Sequence, residues 1–301
     1  MKIAILMSTY NGQAYLDTQI QSILAQQGDF QADLWVRDDG SADETKAILQ
    51  RYADDGKLRW FTGENLRPAK SFLTLLQQCP GYDYYAFADQ DDVWDSDKLA
   101  AGIASLKQDT APALYFANAR LVDKEQHSLG RNVYTVALNT DFYSLCCNGG
   151  LLGCTMVFNS ALAKLVQDAP IPENLVMHDF YLAVLCRLYN GNIYYDAEPR
   201  MDYRQHGGNV VGSQWSKWGA LKDRLQDIFT PCKISVADQA SSILACYPQA
   251  PCPERIRYLQ KIADYRRSLW RAMGLAFSKN LHFSSKNKAI TTRLSILMRH
   301  R

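Results

Sequence analysis

YYAFADQDDVW, Tyr84–Trp94, sets five apolar or aromatic residues directly against Asp89-Gln90-Asp91-Asp92. Near-continuous apolar side chains that stop abruptly predict a strand buried on both faces, as in a parallel sheet covered by helices. The flanking sequence repeats the pattern. Upstream, Lys2–Met7 predicts a first strand, Tyr15, Ile20, Ile23 and Leu24 recur at helical spacing, and Leu34–Val36 predicts a second strand ending at Asp38-Asp39-Gly40-Ser41. Ser41 followed by Glu44 fits a capping box opening a helix over Asp43–Tyr52. Leu58–Phe61 then predicts a third strand and Ser71–Gln77 a helix, while Lys98–Leu106 and Ala113–Asn118 continue the alternation downstream. The first 120 residues therefore predict an α/β fold of Rossmann-like βα units on a mostly parallel sheet.

The alternation fades after Asp123. Residues 124–150 predict a loop-rich insertion, Ser160–Gln167 and Asp179–Tyr189 predict helices, and Ile193–Tyr195 and Met201–Tyr203 predict short strands. From about Trp215 the pattern is helical and increasingly basic. This divides the chain into residues 1–123, residues 124–214 and a helical basic extension, 215–301.

At 301 residues and 47% hydrophobic content, the chain can bury a sizeable core, which excludes general disorder. The eight cysteines include no C-x-x-C pair, and Met1–Met7 is too short an apolar run for a secretory signal, so a reducing, cytoplasmic setting is expected. The longest low-charge apolar stretch, Leu145–Phe158, is shorter than the ~18–20 residues of a membrane span. Net charge is +2, but residues 255–301 hold twelve Lys/Arg against one acid, while residues 1–254 hold twenty-one against thirty. An acidic body with a basic tail suggests a polyanionic neighbour for the tail.

In an open parallel sheet, ligands bind where loops and helix N-termini converge at the carboxyl ends of strands. Ser8-Thr9-Tyr10-Asn11, Asp38-Asp39-Gly40-Ser41 and Asp89-Gln90-Asp91-Asp92 are placed at such ends. Neither G-x-G-x-x-G nor a phosphate loop ending in Gly-Lys-Ser/Thr follows the first strand, which removes the main support for a dinucleotide dehydrogenase or a P-loop nucleotidase. Asp89 and Asp91, one residue apart, can present two carboxylates to a hard divalent cation such as Mg²⁺ or Mn²⁺. Such a cation would stabilise charge on a departing diphosphate. An isolated Asp-x-Asp is more often a solvated turn; the apolar strand upstream and two further polar strand ends favour the site.

"ILMSTYNG", "WVRDDGSADET" and "AFADQDDVWDSDKL" resemble the nucleotide-binding half of family 2 glycosyltransferases, enzymes of the GT-A fold, over about residues 1–110. "MHDFYLAVL" and "YRQHGGNVVG" resemble the acceptor half of bacterial rhamnosyltransferase-like members. The resemblance implies that Thr9, Tyr10 and Asn11 lie beside nucleobase and ribose, where the Tyr10 ring can stack on a pyrimidine. It implies that Asp38 or Asp39 accepts the base N3 hydrogen; turn chemistry is the alternative for the pair. Asn65 and Lys70 match a position for base or phosphate contacts, although "GENLRPAK" departs from the family's glycine-containing form. Asp91 is implied as a direct metal ligand, Asp89 as a ribose or indirect contact with Asp92 as substitute, and His206 as completing the metal or diphosphate site beside Arg204.

Asp179 matches the family's catalytic aspartate, the base that takes a proton from the acceptor hydroxyl; a helix N-cap is the alternative. His178 stands where the wider family is usually acidic. Gly149, Gly150 and Gly153 suit turns or a close approach to sugar, and Cys146 and Cys147 suit small buried positions. The implied reaction is inverting, metal-assisted transfer of a sugar, rhamnose from dTDP-rhamnose being favoured, to a hydroxyl of a cell-surface polysaccharide precursor such as a lipid-linked glycan. A non-catalytic nucleotide-sugar-binding scaffold is the alternative. The basic tail suits an anionic membrane surface, giving peripheral attachment at the inner face of the cytoplasmic membrane, or a helical face packed on the body; nucleic acid is the weaker partner.

Overall fold

Lys2–Thr9 forms β1, Gln31–Asp38 β2, Arg59–Thr62 β3 and Tyr84–Ala88 β4 of a computed structural model that describes residues 1–206, 232–283 and 286–300. These four strands lie side by side in the order β3-β2-β1-β4, all parallel. The apolar run that decides the fold behaves as expected: every residue of β4 is buried. Ile3, Ile5 and Met7 point to one face of β1, where Leu16, Ile20 and Ile23 of α1 (Leu16–Leu24) pack into the same core. On the opposite face Phe87 of β4 meets Phe72 of α3 (Arg67–Gln78), with ring centroids 5.1 Å apart. The third helix of this half, α2, spans Thr45–Asp54.

Beyond β4 the sheet becomes mixed. Val93–Trp94 forms β5, Ala113–Val122 β6, Ser128–Asn132 β7, Met156–Asn159 β8 and Asn192–Arg204 β9, and the order continues β4-β8-β6-β9-β5 with β7 beside β6. β8 runs antiparallel to both β4 and β6, so β6 and its parallel partner β9 run in the same direction as β4. Their carboxyl ends therefore share one edge with those of β1, β2 and β3. Helix α4 (Lys98–Leu106) packs on β8 and β6 at Gly102, where an added Cβ would lie 2.6 Å from Val157 Cγ2. Helix α6 (Ser160–Gln167) is capped by the Asn159 side chain, which accepts from Leu162 N at 3.1 Å.

Several elements depart from the sequence reading. The insertion at 124–150 is not simply loop: it holds β7 and a short helix, α5 (Phe142–Cys147), capped by Asp141, which accepts from Ser144 N at 3.0 Å. β8 is an extra strand. The two short strands expected around Pro199 are one strand, because a bulge absorbs the proline: Ala117 pairs with Asp196 and Asn118 with Pro199. The Ser41–Glu44 capping box is absent; Ser41 Oγ accepts from Asn11 N instead, at 2.9 Å, and α2 begins after Glu44 without a side-chain cap. The helical stretch expected over 215–231 and residues 207–212 of the "YRQHGGNVVG" motif lie outside the described residues.

The nine strands among the described residues all belong to one compact unit, Met1–Thr135 with Leu152–Ile171 and Gly191–His206. A second unit takes Val136–Leu151, Pro172–Asn190 and the described residues beyond His206. The units interleave along the chain, so the segments 1–123, 124–214 and 215–301 describe proposed roles rather than compact bodies. The second unit is helical: α5, α7 (His178–Leu188), α8 (Val236–Cys246), α9 (Pro253–Asp264), α10 (Leu269–Ala276) and α11 (Lys286–Leu297). Ser235 and Asp238 form a reciprocal capping box on α8, and the Tyr181 and Tyr247 hydroxyls meet at 2.5 Å inside the bundle. Cys146 and Cys147 are buried there, as expected. No helix among the described residues is long and apolar enough to cross a membrane.

Two packing predictions follow from these contacts. Gly102→Ala gains helix propensity but forces methyl overlap with Val157, and should destabilise the protein by about 1–2 kcal/mol in denaturant unfolding. His178 is buried in α7, and desolvation pushes its imidazole down to about 3. The unfolded chain takes up this proton near pH 6.5 and the folded chain does not, so His178's contribution is fully present above about pH 6.5 and shrinks as pH falls toward 3. Lowering pH from 7 to 5 should cost about 2 kcal/mol through His178, and His178→Gln should flatten that slope in pH-dependent unfolding.

Candidate active site

Three loops converge at the shared strand edge, and their polar residues are first of all partners of one another. Asp39 N donates to Thr9 O at 2.8 Å and Gly63 N to Asp38 O at 3.0 Å, joining the ends of β1, β2 and β3. Asn11, held in the left-handed region at φ 49°, accepts from Ala42 N on its Oδ1 at 2.9 Å, while Gly12 N donates to Thr45 Oγ1 at 2.8 Å. The "TYNG" and "DDGSADET" segments thus form one hydrogen-bonded platform. Tyr10 projects from it with half of its surface exposed, so its ring is open to stacking.

Asp38 and Asp39 are both buried, and the structure gives each an internal task. Asp38 accepts from Gly40 N and Ser41 N at 3.2 and 3.1 Å and from Thr62 Oγ1 at 2.8 Å. Asp39 pairs with the buried Arg37 guanidinium and accepts from Ser71 Oγ at 2.8 Å and Leu66 N at 3.1 Å. Burial pulls the Arg37 pKa down, opposed by the nearby carboxylates of Asp38 and Glu64. Asn65 is exposed after β3 and accepts from Arg67 N at 3.1 Å; Lys70 is half-buried in α3. Both stand at the same strand edge as the platform.

Gln90 ties the platform to the acidic loop. Its Oε1 accepts from Thr9 Oγ1 at 2.5 Å and Tyr10 N at 2.9 Å, and its Nε2 donates to Tyr10 O at 3.2 Å. Below it, Gln19 of α1 donates to Asp89 O at 2.9 Å. The sequence offered little sign of this role, because a glutamine among aspartates reads as one more polar loop residue.

β5 explains how His206 reaches the acidic loop from more than a hundred residues away. Val93 pairs antiparallel with Asp202, so the chain running back from Val93 passes beside the chain running forward to His206. Arg204 Nε donates to Asp91 O at 2.8 Å, and His206 Nε2 lies 2.6 Å from Asp91 Oδ2. Tyr15 completes the corner, its ring 5.1 Å from that of His206 and 4.6 Å from the Arg204 guanidinium carbon. Arg204 is buried and spends Nη1 on Lys124 O at 2.8 Å, so it braces the loop.

Behind Asp91 lies a second, buried group. Ligand atoms of Asp89, Asp92 and Cys154 fall within 4.8 Å of one another. Asp92 Oδ2 is buried without a hydrogen-bond partner among the described residues. Burial, then the neighbouring charges of Asp91 and Asp89, drive the Asp92 carboxyl well up, so the cluster needs a cation or a proton to balance it. The carboxylates suit hard Mg²⁺ or Mn²⁺; Cys154 suits them poorly, since burial pushes its thiol up as well. Lys98 is fully buried nearby, its ammonium 3.6 Å from the Trp94 ring centroid and pushed down to about 7 by desolvation. No sequence motif pointed to Cys154, and Lys98 lies in the quoted "AFADQDDVWDSDKL" stretch without a role read for it.

Asp179 belongs to the helical unit. It stands in the first turn of α7 and not at its N-cap, which is Met177, so the capping alternative does not hold in its simple form. Its Oδ1 accepts from Phe180 N at 2.6 Å, and its carboxylate favours the positive end of the helix. Gly149 packs in the same unit against Phe180, where a Cβ would lie 2.9 Å from Cγ.

Residues 4–157 match the model of the family described as Glycosyl transferase family 2. The dTDP-rhamnosyl transferase RfbG of Shigella flexneri is 28% identical over 233 residues, 70% of this chain and 75% of the relative. A GalNAc(5)-diNAcBac-PP-undecaprenol beta-1,3-glucosyltransferase of Campylobacter jejuni is 31% identical over 130 residues, 41% of this chain and 40% of the relative. Among solved structures, S. aureus TarS 1-349 in complex with UDP aligns with a TM-score of 0.56 at 18% identity, covering 92% of this chain and 75% of that one. The complex of the same protein with UDP-GlcNAc aligns with a TM-score of 0.56 at 17% identity, covering 100% and 92%. The likeness supports a GT-A-like α/β fold, and the family match covers half of the chain together with the platform and the acidic loop. The chain belongs to glycosyl transferase family 2 and is a glycosyltransferase.

Proposed function

We propose that the enzyme transfers a sugar, rhamnose from dTDP-rhamnose being the favoured case, to a hydroxyl of a lipid-linked precursor of a cell-surface polysaccharide, with inversion at the anomeric carbon. The observation that carries this reading is the crowding of Asp89, Asp91 and Asp92 beside His206 at the strand edge that also presents Tyr10. The donor preference follows the dTDP-rhamnosyl transferase relative, and the lipid-linked acceptor follows the undecaprenol-linked substrate in the name of the Campylobacter relative.

In this reading Tyr10 stacks on the pyrimidine, Thr9 and Asn11 shape the base and ribose pocket, and Asp38 or Asp39 faces the base. Asn65 and Lys70 lie toward base or phosphate. Asp91, Asp89 and His206 would hold Mg²⁺ or Mn²⁺, with Arg204 bracing the loop and Asp92 as a further oxygen. When bound, the cation neutralises charge on the diphosphate as it leaves. Asp179 accepts the proton of the acceptor hydroxyl; that oxygen bonds to the anomeric carbon while the bond from that carbon to the diphosphate oxygen breaks. One displacement inverts the configuration. Peripheral attachment to the inner face of the cytoplasmic membrane through residues 255–301 would bring the enzyme to its acceptor.

Release of nucleoside diphosphate from a panel of nucleotide sugars, with EDTA or added Mn²⁺, tests the core of this reading. Turnover should require the cation and a pyrimidine donor. Asp91→Asn should lower kcat by about a hundredfold or more without loss of fold. Asp179→Asn should lower transfer to an acceptor by about 10²–10⁴-fold while nucleotide still binds. Full cation-dependent turnover by the Asp91 variant, or unchanged transfer by the Asp179 variant, would defeat the assignment. Asp39→Ala should behave differently: it leaves the buried Arg37 guanidinium without its carboxylate and should cost about 3–5 kcal/mol in thermal or denaturant unfolding.

A further inference from the structure

The helical unit carries an exposed apolar edge that its own packing does not use. On α10, Ala272, Leu275 and Ala276 face inward, while Trp270 is 81% exposed and Phe277, at the C-cap, 64%. Leu269 and Met273 are exposed as well. Residues 270, 273 and 277 recur at helical spacing, so they form one continuous stripe. Beside it, a groove of about 470 Å³ runs between α9 and α10, lined by Arg257, Lys261, Asp264, Arg271 and Gly274. Its one acid is already neutralised, since Asp264 pairs with Arg267 at 3.1 Å and Arg271 at 2.9 Å. Arg257 and Lys261 are exposed on successive turns of α9 and have no acidic partner among the described residues.

We infer that this face, the Trp270–Phe277 stripe with the Arg257–Lys261 groove beside it, docks the enzyme on an anionic phospholipid surface. The inference rests on the proposed lipid-linked acceptor for its purpose, and names where the protein meets the leaflet. Two features select the occupant. Residues 253–283 hold seven Lys/Arg against two acids, so a second copy brought face to face would meet like charge. Leu269 and Met273 are aliphatic and gain by entering hydrocarbon, which a nucleic acid backbone does not offer. A layer of acyl chains beneath phosphate headgroups satisfies both halves of the face together. Trp270 suits the boundary, with its ring in the apolar layer and its N–H toward the headgroups.

The test uses the full chain with vesicles of phosphatidylcholine alone or mixed with phosphatidylglycerol. Co-sedimentation should occur with the mixed vesicles, weaken as salt is raised, and be accompanied by quenching of Trp270 fluorescence by brominated lipid. Arg257→Gln with Lys261→Gln should lower partitioning by roughly 25-fold, from about fivefold per cation. Trp270→Ala with Phe277→Ser should lower it by about tenfold or more and remove the quenching. All four residues are exposed and lie outside the proposed catalytic machinery, so both variants should fold and retain donor-dependent diphosphate release without vesicles. No binding to anionic vesicles, binding that neither double variant weakens, self-association that the Trp270 variant abolishes, or an equal preference for RNA would each overturn the inference. Vesicle binding that fails while diphosphate release persists removes this surface and leaves the transferase reading; the reverse result removes the donor reading and leaves the surface.

Discussion

Three carboxylates within four residues, at the end of a strand buried on both faces, repel one another more than bulk water would allow. Much of the strand edge is arranged around that repulsion. Gln19 and Gln90 fix the loop backbone and the platform, Arg204 grips the Asp91 carbonyl, and His206 meets the Asp91 carboxylate. Lys98 places a buried amine 3.6 Å from the Trp94 ring centroid, within electrostatic reach of Asp92. A strand that ended in neutral residues would need none of these. The cluster holds unfavourable electrostatic energy that a divalent cation would relieve, which gives the loop a physical reason to bind one.

The fold was largely legible because parallel strands buried on both faces leave a strong mark. β4, α4 and α6 coincide with the expected residues, and the other elements of the first 120 residues differ mainly at their ends. What escaped reading is instructive. β8 is four residues long and β5 two, and such short pieces carry no periodicity of their own; they exist because neighbouring strands offer unpaired backbone. β9 joins the two short strands expected at Ile193–Tyr195 and Met201–Tyr203, and the bulge that accommodates Pro199 between them is a property of the partner strand as much as of its own residues.

The candidate site was legible in its loops and not in its supports. Asp89, Asp91 and His206 could be named from spacing and resemblance, and the structure brings Asp91 and His206 together. Ser71 and Cys154 could not, because each acts by lying next to something distant in sequence; Arg37 and Lys98 lie inside the quoted stretches, but only their burial beside Asp39 and Trp94 shows what they do. Asp39 shows the difficulty most clearly. The same carboxylate that the family pattern points toward the base also neutralises Arg37 and accepts from Ser71 and Leu66. A motif marks where a residue is needed; burial and partners show how many needs it serves.

The bulge in β9 has a consequence for how this family member can change in length. β9 spends three more residues than β6 over their paired run, from Ala113 opposite Asn192 to Val122 opposite Arg204. Side chains alternate in direction along a strand, so an odd excess exchanges the two faces beyond the irregularity. The excess is two between Asp196 and Pro199 and one between Pro199 and Asp202, so which way the Arg204 and His206 side chains turn is a matter of parity set around residues 199–202. Descendants of this gene can gain or lose residues there in pairs and keep that corner; a single-residue indel would turn it inside out.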